Sequence, residues 1–318
     1  MQSVRRILVA VKDPWAASLP AVTKATQLAR AFGADLELYH AIHSAIHMDL
    51  LGTGGDRTRH LHRDERLQAL KRLAVRVRAH AVNVTAGAEW DYPPAEAIVR
   101  RAHHIGAELI VAERHAGSHV APGLRGLSDW QLLRLSPVSL LLVSQPRPYR
   151  HPTVLTAIDP SHAFAKPAQL DEEILRIGTL LSQGLRGKLH AVHAYLPKTA
   201  TRVALAAAAG VPSYDNTAAH AKVEFDRALA AAMDVLPIRR HLTGGNPFDA
   251  IRRVARRVDA NIVVAGAVSR AGLQRLLIGS TAERLLNGLF CDLLFVKVAG
   301  CASPVADVCR GADLVVGY

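Results

Sequence analysis

The chain has 318 residues, half of them hydrophobic and about a fifth charged, which is material for about two soluble domains. No apolar run reaches the roughly 18–20 residues of a membrane span, and the start, MQSVRRILVAVKDP, lacks the long apolar core and small-residue cleavage site of a signal peptide, so a cytoplasmic protein is expected. The formal net charge of +12 admits nucleic acid, an acidic surface or an anionic small ligand, but the basic residues are spread along helices and aromatics make only 5% of the chain, which leaves little for base stacking and argues against nucleic acid.

In chain order, RRILVAVK is a continuous apolar run, as expected of a strand buried on both faces. SLPAVTKATQLARAFG has helical spacing through Val22, Thr26, Ala29 and Phe32 and stops on Gly33. DLELYHAI is the next strand. DRTRHLHRDERLQALKRLAVRVRAH is a long helix with Leu67, Leu70, Leu73 and Val77 on one stripe. VNVTAGAEW is a third strand, PPAEAIVRRAHHIG a helix with proline near its start, AELIVAE a fourth strand and VSLLLVS a fifth. SQPRPYRHP, residues 144–152, is proline-rich and polar, as a linker should be.

The second half repeats the first. PPAEAIVRRAHHIGAELIVA, from Pro93, recurs as NPFDAIRRVARRVDANIVVA, from Asn246, an offset of 153 residues. The offset also lays DLELYHAI over KLHAVHAY. The opening strands ILVAVKDP and VLTAIDP match at a smaller offset, so the second copy carries a short insertion after its first strand. A repeat of this length is a duplicated domain. Residues 1–147 and 151–298 are the two domains, and 299–318 form a C-terminal tail whose apolar end, DLVVGY, is free to dock or to add an edge strand. Strand–helix alternation in each copy implies an α/β fold: a five-stranded parallel sheet with helices on both faces and ligands at the carboxyl ends of the strands.

In the second copy two elements meet at those ends. One is Asp159, closing the first strand in AIDPSH; the other is the loop GAVSRAGLQRLLIGS after the fourth strand. Its pattern is Gly266, two residues, Ser269, nine residues, Gly279 and Ser280. A glycine after a strand lets backbone approach a ligand. Ser280 and Glu283 have capping-box spacing, and the free amides and positive dipole of a helix start suit a phosphate. Arg270 and Arg275 add positive charge nearby.

These residues carry a resemblance. The chain is similar to the tandem universal stress proteins, whose nucleotide pattern is Gly, two residues, Gly, nine residues, Gly, then Ser or Thr. The match holds at Gly266, Gly279 and Ser280 and departs at Ser269. The segment STAERLLNGLFCDLLFVKV resembles the E-type tandem members. The resemblance implies Rossmann-like domains of the adenine nucleotide alpha hydrolase kind and ATP as the cofactor of the second domain. It implies Asp159 at the adenine, His193 and Ala194 beside the base, and a phosphate site at Gly266, Ser269, Arg270, Gly279, Ser280 and Thr281. As partners it implies intramolecular pairing of the two domains, with a homodimer possible.

The first copy has lost this pattern. Glu113 stands over Gly266, Ala116 over Ser269, Gly126 over Gly279 and Leu127 over Ser280, while Lys12 takes the place of Asp159. A carboxylate at Glu113 repels phosphate, so no ATP is expected there. His40, His43 and His47 have helix-face spacing, with His60 and His62 following and His115 and His119 beyond, but no cysteine or carboxylate cluster accompanies them, and loop histidines are the simpler reading. Cys291, Cys301 and Cys309 match no disulfide framework or zinc module. No catalytic set is evident. A ligand-sensing stress-response protein leads; a slow ATP hydrolase and a carrier of a lipid-like ligand under the alanine-rich segment 201–214 are the alternatives.

Overall fold

A strand that is apolar on both faces has to lie inside a sheet covered on both sides, and each half of the chain opens with one. In the computed structural model the first of these, β1 (Arg6–Ala10), runs parallel between β2 (Asp35–Ile42) and β4 (Leu109–Glu113). β3 (Val84–Trp90) pairs with β2, and β5 (Ser139–Val143) with β4, both parallel. Helices α1 (Pro20–Phe32), α2 (Gly55–Arg78), α3 (Pro94–His104) and α4 (Gly126–Leu135) connect them. The structure describes residues 4–42, 55–114, 126–160, 169–195, 218–233, 235–267, 280–298, 305 and 315–317.

The second half has the same plan. β6 (Thr153–Ile158) lies parallel between β7 (Lys188–Tyr195) and β9 (Ile262–Gly266), with β8 (Ile238–Gly244) beside β7 and β10 (Asp292–Val296) beside β9. Its helices are α5 (Leu170–Gly184), α6 (Ala218–Met233), α7 (Pro247–Arg257) and α8 (Ser280–Gly288). The chain divides into two units built on Met1–Tyr149 and on Arg150–Val268 with Ile278–Val298, and the break falls inside the proline-rich stretch 144–152. The C-terminal residues group with the first unit, where β11 (Val315–Gly317) pairs antiparallel with β3.

Local signals place the helix ends. Gly33 adopts a left-handed φ of 66° and its N–H caps the carbonyl of Ala29, a conformation that costs glycine least. Asn246 caps α7 by accepting from the Phe248 N–H at 3.0 Å, with Pro247 in the first turn. In the second unit α5 lies close on the sheet at Gly178, where a Cβ would sit 2.3 Å from Cγ2 of the buried Thr156.

The two units differ in how they satisfy polar groups on the buried sheet. In the first, Glu37 of β2 accepts from Arg101 of α3, through Nε at 2.6 Å and Nη2 at 3.0 Å, and both side chains are buried. Gly87 of β3 leaves the room: a Cβ there would stand 3.3 Å from Oε1 of Glu37. Tyr39 donates to Glu89 at 3.0 Å, and Arg100 donates to Asp91 at 2.6 and 3.0 Å. Burial, then the Glu89 charge, pushes the Tyr39 hydroxyl far up.

In the second unit His190 occupies the place of Glu37 and Val254 that of Arg101. His241 lies opposite Val192 as Gly87 lies opposite Tyr39, so it fills the glycine's place. The His190 and His241 rings stack 5.2 Å apart and 8° from parallel, with Nδ1 of His190 2.9 Å from Nε2 of His241. A buried ion pair over a glycine has become a pair of neutral rings. Burial, then His241, Arg239 and Lys188, lowers His190 to about 4; burial, then Arg257 and Arg239, lowers His241.

This pair makes the second unit acid-sensitive. The folded value of His190 lies below the 6.5 usual for a histidine, so the unfolded chain takes up the proton first. The pair's contribution is complete above about pH 6.5 and is lost as the pH falls toward 4. Urea unfolding followed across that window should show a stability loss that the His190→Leu/His241→Leu variant lacks, the two curves diverging by roughly 2 kcal/mol.

Candidate functional site

Parallel strands end together, so the carboxyl ends of β6, β7 and β9 gather the residues that follow them. Ile158, the last residue of β6, lies opposite His193 of β7, and Ala157 lies opposite Ala265 of β9. Asp159, Ala194 and Gly266 therefore sit on three adjacent strand ends, with β6 in the middle. Ser280 opens α8, with Thr281 half-buried behind it and Glu283 in the first turn. Ser269, Arg270, Arg275 and Gly279 lie outside the described residues.

Asp159 is held at its backbone and half-buried at its side chain. Its N–H donates to Oδ1 of Asp171, 3.2 Å away in the first turn of α5, and its side chain is 25% exposed. His193 lies fully buried beside it, with Nδ1 3.3 Å from the carbonyl oxygen of Ile158 and 4.0 Å from Oδ1 of Asp159. Its ring packs against Phe225 of α6 at 5.8 Å. A half-buried carboxylate beside a buried imidazole at the ends of adjacent parallel strands is a site for hydrogen-bonding a polar planar or hydroxylated group.

One residue here, Asp171, escapes a reading of the sequence, and another, His193, takes a part that its sequence does not announce. Asp171 orients the turn after β6; its only sequence signal is the acidic start of α5, LDEE. His193 fixes the β6–β7 seam, and its counterpart His40 does the same in the first unit, Nδ1 donating to the carbonyl of Val11 at 2.8 Å. The spacing of His40 with His43 and His47 is thus not that of a helix face, since His40 is committed to a strand seam. His43 and His47 lie outside the described residues, and among the described residues no three potential metal ligands cluster.

Gly266 has a second reason to be glycine. Its φ is not left-handed, yet a Cβ would fall 2.5 Å from Cδ2 of Leu170, the buried first residue of α5. The missing side chain lets α5 start against β9, whatever else approaches. At the corresponding place in the first unit β4 ends in Glu113. Lys12 is exposed after β1, and Asp13 is turned back to accept from the Trp15 N–H at 2.9 Å. Ala116 lies outside the described residues, and Gly126 and Leu127 fall in the first turn of α4.

Behind the loop, α8 is anchored to α7. Arg284 donates to Oδ1 of Asn246 at 3.0 Å and lies 4.4 Å from the centroid of the Phe248 ring, and a Cβ at Gly288 would come within 2.4 Å of that ring. α8 is therefore fixed at its second turn and at its far end.

Comparison with known proteins agrees with this architecture. The model of the universal stress protein family matches the chain twice, at residues 3–144 and 153–297. The universal stress protein E homolog of Haemophilus influenzae is 28% identical over 211 residues, which is 65% of this chain and 68% of that protein. Universal stress protein E of Salmonella typhi is 25% identical over 304 residues, covering 94% and 96%. Among solved structures, a putative universal stress protein from Pseudomonas aeruginosa superposes with a TM-score of 0.70 at 21% identity, covering 92% and 93%. A universal stress protein from Archaeoglobus fulgidus gives 0.66 at 16%, covering 93% and 99%.

The Gly266–Leu170 contact predicts a non-additive pair. Gly266→Ala should destabilise the protein with no ligand present, by about 1–3 kcal/mol as overpacking does. Adding Leu170→Ala should cost less than the sum of the two single changes, with a coupling of roughly 0.5–3 kcal/mol in a double-mutant cycle read by urea unfolding.

Proposed function

Because both halves of the chain belong to the universal stress protein family, we propose that this is a stress-response protein whose second unit senses an adenine nucleotide, ATP first among them. The observation that carries the reading is the convergence of Asp159, Ala194 and Gly266 on three adjacent strand ends, ahead of a helix that opens at Ser280. In this reading Asp159 accepts from the adenine amino group or a ribose hydroxyl. The backbone at Ala194 borders the base. Gly266 lets the chain approach, and Ser269, Arg270, Gly279, Ser280 and Thr281 receive the phosphates through hydroxyls, a guanidinium and helix-start amides.

The first unit is a scaffold with no nucleotide, since Glu113 closes β4 where Gly266 closes β9 and a carboxylate repels phosphate. Among the described residues of this site no general base is aligned with a nucleophile, and binding is the function proposed. Among the described residues no helix is long and apolar enough to cross a membrane. The same proposal places the protein in the cytoplasm, where a homodimer is one form it can take.

Purified protein, denatured and analysed for released nucleotide, should yield ATP or ADP, and Asp159→Ala should weaken ATP by about tenfold, as loss of a charge-assisted hydrogen bond does. Ser269→Gly should bind at least as tightly as the native sequence. No released nucleotide together with no saturable ATP titration would refute the reading.

A further inference from the structure

The first unit carries a groove far in character from the strand-end site. It lies between α1 and α2, has a volume of about 490 Å³, and is closed at one side by Pro148. That volume is within the range of small-ligand sites, roughly 300–1,000 Å³. Leu19, Val22, Leu73 and Val77 give it an apolar floor.

Thr23, Thr26 and Gln27 of its wall are already committed. The Thr23 hydroxyl donates to the carbonyl of Leu19 and the Thr26 hydroxyl to that of Val22. Gln27 donates through Nε2 to the carbonyl of Tyr149 at 3.0 Å and accepts from the Tyr149 N–H at 2.9 Å. A body lying on this floor gains little from polar atoms of its own, because hydrogen-bonding partners there are taken.

The rim is different. Arg30 from the last turn of α1, with Arg76 and His80 from the end of α2, all exposed, stand around the opening. No carboxylate lines the groove among the described residues. Among the described residues Arg30 and Arg76 make no ion pair, whereas elsewhere in this unit Arg100 and Arg101 are tied to Asp91 and Glu37. Two unmatched guanidinium groups beside an apolar trough attract one kind of head group, an anion. The second unit lacks the arrangement, since neither α5 nor α6 has a basic residue in its last turn.

We propose that this groove binds a small organic anion: a carboxylate or phosphate monoester held by Arg30, Arg76 and His80, with an apolar body on the floor between α1 and α2. The site is independent of nucleotide binding in the other unit and of the family's strand-end pocket.

Saturation-transfer NMR on the full chain, with octanoate, octyl phosphate and octylamine as separate probes, tests it. One or both anions should bind saturably, the tighter of the two naming the head group, and octylamine, with the same tail, should not compete. Arg30→Gln/Arg76→Gln/His80→Gln changes only exposed side chains; it should weaken the anions by about tenfold or more with an unchanged melting temperature. Thr23→Trp, at an exposed position of the wall, should block them. Competition by octylamine at equal strength, unaltered binding in both variants, or no saturable binding of either anion would overturn the proposal.

Discussion

The structure depends on one constraint: the central strands of each unit are buried on both faces, so a polar group buried on them has to find its partner inside the protein. Duplication gave this constraint two solutions on the same backbone plan. In the first unit a glycine in β3 makes room for a bidentate Glu37–Arg101 pair, joined by Tyr39–Glu89 and Arg100–Asp91. In the second, two neutral histidines stack in that space. The ion pair is held together by attraction that offsets desolvation only while both partners remain. The histidine pair avoids buried charge but fails once a proton enters.

The same constraint organises the strand ends. The last carbonyl of the central strand is met by a histidine from its neighbour in both units, His40 at Val11 and His193 at Ile158. Beyond that shared seam the units part. In the second, the Asp159 N–H is held by Asp171 and its carboxylate stays partly exposed, while Gly266 leaves room at the β9 end for Leu170 of α5. In the first, Lys12, an Asp13 folded back on its own turn, and Glu113 occupy these places. The strand ends of the second unit thus carry a glycine and a partly exposed carboxylate where those of the first carry Glu113 and Lys12.

Most of the fold was legible in the sequence because hydrophobic period, proline starts and the Gly33 stop report local physics. The repeat then gave both halves one topology, and the order of the strands in each came only with their pairing in the fold. The edge strand β11 was not legible: three residues of a short apolar tail say nothing about which sheet edge they join. Nor was the role of Gly266 in packing, because Leu170 is distant from it in sequence and only the tertiary fold brings them together. The histidine pair was hidden for a similar reason. Its members lie 51 positions apart on strands whose register differs between the copies by one residue. The spacing in HAIHSAIH suggested a helix-face cluster, but the strand DLELYHAI commits His40 to a neighbouring carbonyl. Candidate residues at the strand ends were legible as a pattern, and the pattern alone did not reveal Asp171 as the group that orients Asp159.

The central claim is that only the second copy has kept the nucleotide pocket. Hydrogen exchange of the full chain with and without ATP, followed by peptide mass spectrometry, tests it most directly. The account predicts that ATP slows exchange in peptides at the ends of β6 and β7 and across residues 266–281, and leaves the ends of β1 and β4 unchanged. Protection at the ends of β1 and β4, or none anywhere at saturating ATP, would contradict it.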